Sequence, residues 1–152
     1  MLKMFSLHNG IQINDILQKT NLDFLGSSEI KKSYGSSNLD IDYLINVNDM
    51  ILCIKEKYDR VTPYLSNIKD FITSVNSISN KTNKECIGIY VSCMPLANES
   101  KKLLENQNSI SNSFYSINDL NRHILLQKLI NILYANNIFM YNEDDSCIMI
   151  NN

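Results

Sequence analysis

The chain has 152 residues, of which 44% are hydrophobic and 20% charged, with a formal net charge of −2 at pH 7. That length and balance fit one globular domain large enough to bury a core without disulfide or metal staples. The near-neutral charge gives no global attraction for nucleic acid, so any such contact would need a local basic face.

Cys53, Cys86, Cys93 and Cys147 form no CxxC pair and have no His at zinc-finger spacing. They read as free thiols of a reducing compartment. No segment has the length and apolarity of a membrane span, and MLKMFSLHNG is not of signal-peptide type. The expected location is intracellular: cytoplasmic, nuclear or packaged in a particle. Abundant Asn and Ile with scarce Ala suggest an AT-rich, viral or similar coding genome. No internal repeat is present.

In chain order, Ile13, Ile16 and Leu17 recur at helical spacing over Ile11 to Lys19, with Asn9-Gly10 ahead as a cap. Phe24 to Ser28 is ambiguous, Glu29 to Ser33 reads as an exposed strand, and Tyr34 to Asn38 is turn material. From Asp40 to Lys57 the chain reads DIDYLINVNDMILCIKEK. Two β-branched runs, Ile41 to Val47 and Met50 to Ile54, flank Asn48-Asp49, both tolerant of left-handed backbone, so a tight hairpin is expected.

After Thr62-Pro63, read as cap and first turn, Leu65, Ile68, Phe71, Ile72, Val75 and Ile78 share one helical face. Ser79 to Lys84 reads as a polar loop. Cys86 to Val91 is a continuous apolar run suited to a strand buried on both faces. Leu96 to Asn106 reads as a helix with Leu103 and Leu104 inward, and Phe114 to Ile117 as a short strand. A long helix over Leu120 to Tyr134, capped by Ser116 or Asn118, carries Leu120, Ile124, Leu125, Leu129, Ile132 and Leu133. The stretch from Ile138 to Asn152 could supply a closing strand or hairpin. Late strands separated by helices imply parallel crossovers, and the early hairpin implies antiparallel pairing. The expectation is a three-layer α/β domain with a mixed central sheet flanked by helices, its core over about residues 10 to 135 and a tail over 136–152.

The arrangement αβββαβ, with an acidic residue opening the second strand and a place for (Glu/Asp/Gln)-x-Lys ending the third, resembles the restriction-endonuclease-like PD-(D/E)XK superfamily, in particular its Holliday-junction-resolvase and Mrr-type branches. Asp40-Ile41-Asp42-Tyr43-Leu44-Ile45 and Ile54-Lys55-Glu56-Lys57-Tyr58 stand where those proteins carry Gly-Ile-Asp-Ile-Ile-Ile and Ile-Gln-Cys-Lys-x-Tyr. The resemblance implies a Mg²⁺-dependent endonuclease or resolvase acting on DNA. Asp42 would hold the metal, assisted by Asp40, and Lys57 would orient the attacking water and offset transition-state charge.

One departure from that pattern is decisive. The family's second metal ligand falls on Lys55, and an ammonium repels Mg²⁺. Glu56 could replace it as ligand and catalytic residue if a bulge turned the strand end. A register two residues earlier would put Cys53 there, too soft a ligand for Mg²⁺. The family's helical Glu corresponds to Asn14, beside Asp15. The alternative is therefore a catalytically inactive nuclease-like protein, a structural or nucleic-acid-binding subunit of a larger assembly or a homodimer.

Lys31, Lys32, Lys55, Lys57 and Arg60 would line one edge as a phosphate-contacting patch if the three early strands pair. His8 and His123 are isolated, with His123 read as surface or partly packed. GxSxG, phosphate-loop and GxGxxG motifs are absent.

Overall fold

A computed structural model describes residues 11–18, 20, 22–35, 39–108, 112–118 and 121–138. The cap expected at Asn9-Gly10, the residues Leu120, His8 and Cys147, and the tail from residue 139 lie outside them. The elements in order are α1 (Ile11–Gln18), β1 (Phe24–Leu25), α2 (Ser27–Tyr34), β2 (Tyr43–Val47), β3 (Met50–Lys57), α3 (Leu65–Thr82), β4 (Glu85–Ser92), α4 (Asn98–Glu105), β5 (Asn112–Ile117) and α5 (Arg122–Ala135).

The sheet has the order β1-β2-β3-β4-β5. β2 is antiparallel to both neighbours, while β3, β4 and β5 are parallel. The protein is a mixed five-stranded sheet flanked by helices, as the run order implied. β2 and β3 close on a two-residue turn in which Val47 pairs with Met50 and Asn48 takes φ 55°. Asn tolerates that left-handed angle, which is why the turn sits there.

Alternation along the strands feeds two cores. Tyr43, Ile45, Leu52, Ile54, Ile87, Ile89 and Val91 face α1 and α5, meeting Ile13, Ile16, Leu17, Leu125, Leu129 and Leu133. Leu44, Ile51, Cys53, Cys86, Tyr90 and Phe114 face α2, α3 and α4, meeting Ile30, Ile68, Phe71, Val75, Ile78 and Leu104. β4 is buried on both faces from Cys86 to Ser92, as its unbroken apolar run implies.

Five local expectations need correction. Glu29 to Ser33, read as a strand, lies in α2. The Glu29 carboxylate accepts the Gly26 N–H at 2.9 Å, and Gly35 ends the helix in the left-handed conformation at φ 62°. A start signal and a glycine stop outweigh a segment with only one buried apolar residue, Ile30. Phe24–Leu25 supplies the first strand instead.

α3 begins at Leu65 rather than at Pro63. Asn67 Oδ1 accepts the Tyr64 N–H at 2.8 Å, a local cap that Thr62 does not supply. Its other end runs to Thr82, through most of the expected loop, and stops where Asn83 adopts φ 57°. α5 is capped by Asn121, whose Oδ1 accepts from the backbone of His123 and Ile124 at 2.9 and 3.2 Å, in place of Ser116 or Asn118. Ser116 belongs to β5, and Ile124, expected inward, is 43% exposed.

Candidate functional site

The hairpin brings the entrance of β2 beside the end of β3. Asp42 donates its N–H to the Ile54 carbonyl at 2.8 Å, which extends the antiparallel ladder past Tyr43. Asp42 Oδ2 accepts the Glu56 N–H at 2.8 Å. Asp40 is fixed from the other side, because its N–H donates to Ser74 Oγ on α3 at 2.8 Å and Ser74 in turn donates to the Asp70 carbonyl. The Asp42 carboxylate is thus held by the β3 backbone, and the Asp40 backbone by a hydroxyl of α3.

Lys55 reaches back toward them. Its Nζ lies 3.0 Å from Asp40 Oδ1 and 3.7 Å from Asp42 Oδ2, with all three side chains about a quarter exposed. Burial acts to lower the Lys55 pKa, but the Asp42 and Asp40 carboxylates outweigh it and raise the value above that of a free lysine. The carboxylate pair already holds a monovalent cation that the chain itself supplies. Lys57 Nζ pairs with Asp59 Oδ2 at 2.9 Å, and this hydrogen bond lowers the Asp59 pKa.

Glu56 does not join this group. The β3–β4 register runs without interruption from Met50 to Lys57, so no bulge turns the strand, and alternation places Glu56 opposite Lys55 and Lys57. Tyr43 and Tyr58 lie beside it. Burial, with repulsion from Asp42, pushes its pKa up to about 8 against the pull of the Tyr43 hydroxyl and of Lys55. Glu56 Oε1 and the Tyr58 hydroxyl are buried with no partner among the described residues. Asn14, expected at the position of a helical Glu, hydrogen-bonds Tyr43 and accepts from Gln18.

The expected basic edge does not assemble. Lys31 and Lys32 lie exposed in the last turn of α2 rather than on a strand. The end of that helix meets Lys81, which donates to the Tyr34 carbonyl at 3.2 Å. Lys81 is seven residues beyond Ser74, the α3 residue that holds Asp40, or about 10 Å along the helix. Lys55 and Lys57 are committed to carboxylates, and Arg60 sits exposed after Asp59.

Sequence reasoning passed over three participants. Tyr90 pairs in register with Lys55 from β4. Its hydroxyl is buried with no partner among the described residues, and burial, then Asp40 and Asp42, raise its pKa. A tyrosine inside the apolar run Cys86 to Val91 was the available signal. Ser74 lies beside Val75 on the apolar face of α3, and Asp59 is marked by its place two residues after Lys57.

Mg²⁺ does not fit this arrangement. Among the described residues no group of three or more His, Cys, Asp or Glu side chains is placed to hold a metal ion, and the space between Asp40 and Asp42 faces an ammonium. Cys53 and Cys86 are buried free thiols in the sheet, and His123 is exposed on α5. No described helix is long and apolar enough to cross a membrane. No family model, curated protein or solved structure matches the chain.

Proposed function

We propose that this protein is a nuclease-like protein of PD-(D/E)XK type without metal-dependent cleavage, acting as a structural or nucleic-acid-binding subunit of a larger assembly. The observation that carries the reading is the Lys55 ammonium held by both Asp40 and Asp42. A divalent cation brought to the same carboxylates meets that charge at close range, a repulsion of several kcal/mol even at an effective dielectric of about 20. Phosphodiester cleavage in the family depends on such a cation to polarise the phosphate.

The order of hairpin, crossover helix and buried strand supports the reading, with Asp42 just ahead of β2 and Lys57 at the end of β3, while α2 stands between β1 and β2 where the pattern αβββαβ has no helix. The pairing of Lys55 and Lys57 with Asp40, Asp42 and Asp59 leaves this end of the sheet close to electrically balanced. That favours a structural role over phosphate binding at this place.

The test is incubation of the full chain with supercoiled plasmid and with branched DNA in Mg²⁺ or Mn²⁺, beside Asp42→Ala. The expected result is no nicking above background by either protein. Cleavage that disappears in Asp42→Ala overturns the reading and restores an endonuclease.

A further inference from the structure

β5 is an edge strand: β4 pairs with one side of it, and among the described residues no strand pairs with the other. Asn108 Oδ1 accepts the Phe114 N–H at 2.5 Å, so that N–H points away from β4. Backbone groups alternate in direction along a strand, so those of Ser116 also point outward. The six residues, NSFYSI, include none of the Lys, Asp, Glu or Pro that ordinarily protect an edge from pairing. The Asn108 amide caps the middle of the strand.

Beside this edge, on the α4 side of the sheet, runs a groove of about 340 Å³ with Leu104 and Phe114 in its lining and Lys101, Glu105 and Ser116 along it. Lys101 and Glu105 are both exposed and lie four residues apart, so they stand one above the other on the groove side of α4.

We propose that β5 and the adjoining side of α4 form the interface of a symmetric homodimer, with β5 pairing antiparallel to β5 of a second copy and Lys101 of each subunit facing Glu105 of the other. A two-fold axis perpendicular to the sheet reverses both strand and helix, so the same rotation that pairs the edges lays one α4 antiparallel beside the other. It then exchanges the places of Lys101 and Glu105 and creates two opposite-charge contacts. The uncharged edge adds no like-charge pair. A foreign extended peptide would use the edge alone and leave this charge pattern unanswered, whereas a second copy answers both. The two sheets, five strands each, become continuous. Asn108 competes for the Phe114 N–H, which makes the association reversible and concentration-dependent.

Sedimentation velocity of the full chain, up to about 0.5 mM, tests the proposal. The expected result is a monomer–dimer equilibrium. Lys101→Glu sets two acidic residues against two others and should weaken it about tenfold, and the charge-swapped Lys101→Glu/Glu105→Lys protein should recover it. Ser116→Pro removes an outward N–H without touching the β4 ladder and should abolish the dimer. The two charge variants lie on the exposed side of α4, so their outcome does not depend on whether the proline is tolerated. A chain that stays monomeric throughout, or a dimer indifferent to the charge reversal and its swap, overturns the proposal.

Discussion

Lys55 and Asp40 meet at 3.0 Å across the mouth of the hairpin, and Asp42 shares the same ammonium at 3.7 Å. The side chain that breaks the expected ligand pattern in the sequence is in the structure the partner of both aspartates. Replacing it changes what the carboxylates need.

Lys55→Glu replaces that cation with a third carboxylate and should create affinity for Mn²⁺. The wild-type melting temperature should not move with added Mn²⁺, whereas the variant should gain about 2–3 kcal/mol of stability when the metal is at a hundredfold excess over its dissociation constant. Calorimetric titration checks it directly. Equal responses from the two proteins would mean that Lys55 is not what keeps the site closed to metal.

Glu56 makes stability depend on pH. Its folded pKa of about 8 lies above the ordinary carboxyl value of 4.5, so the folded state binds the proton more tightly than the unfolded state. Its contribution is complete below the ordinary value and is lost as pH rises through about 8. Glu56→Gln, which keeps the shape without the charge, should raise stability by about 2–4 kcal/mol at pH 9 and change it little at pH 4. Denaturant melts at the two pH values read the difference, and a pH-independent effect would contradict the assignment.

Gly88 lies where β4 runs beneath two aromatic rings of one core face. A Cβ added there would sit 2.9 Å from Phe114 Cδ2 and 3.2 Å from Phe71 Cε2, rings that already meet edge to face at 6.3 Å. Gly88→Ala should therefore destabilise by about 1–3 kcal/mol through overpacking, measurable by urea unfolding. A neutral or stabilising result would show that the rings can separate.

Asn121 starts α5 by accepting from two backbone N–H groups. Asn121→Ala should cost about 1 kcal/mol and Asn121→Ser much less, because the serine hydroxyl can still accept. Thermal melts of the two variants separate a capping role from a packing one.

The mixed sheet was legible in the sequence because its signals are periodic and strong. Cys86 to Val91 is apolar at every position but Gly88, Ile68 to Ile78 repeats at helical spacing, and Asn48-Asp49 interrupts two β-branched runs. Burial of those side chains fixes strand, helix and turn with little help from distant residues. α2 escaped because Ile30 alone marks its buried face, so its start and stop depended on the Glu29 carboxylate and the left-handed Gly35 rather than on a pattern.

The sequence by itself determined that Asp40, Asp42, Lys55 and Lys57 lie near one end of a hairpin, since a two-residue turn sets the register of everything beyond it. Only the tertiary structure decided what they do to one another. The α3 hydroxyl of Ser74 draws Asp40 inward, the unbroken ladder with β4 turns Glu56 away, and Tyr90 arrives from a strand more than thirty residues on. Those are long-range placements, set by packing between elements, and no local spacing encodes that Lys55 would settle between two carboxylates.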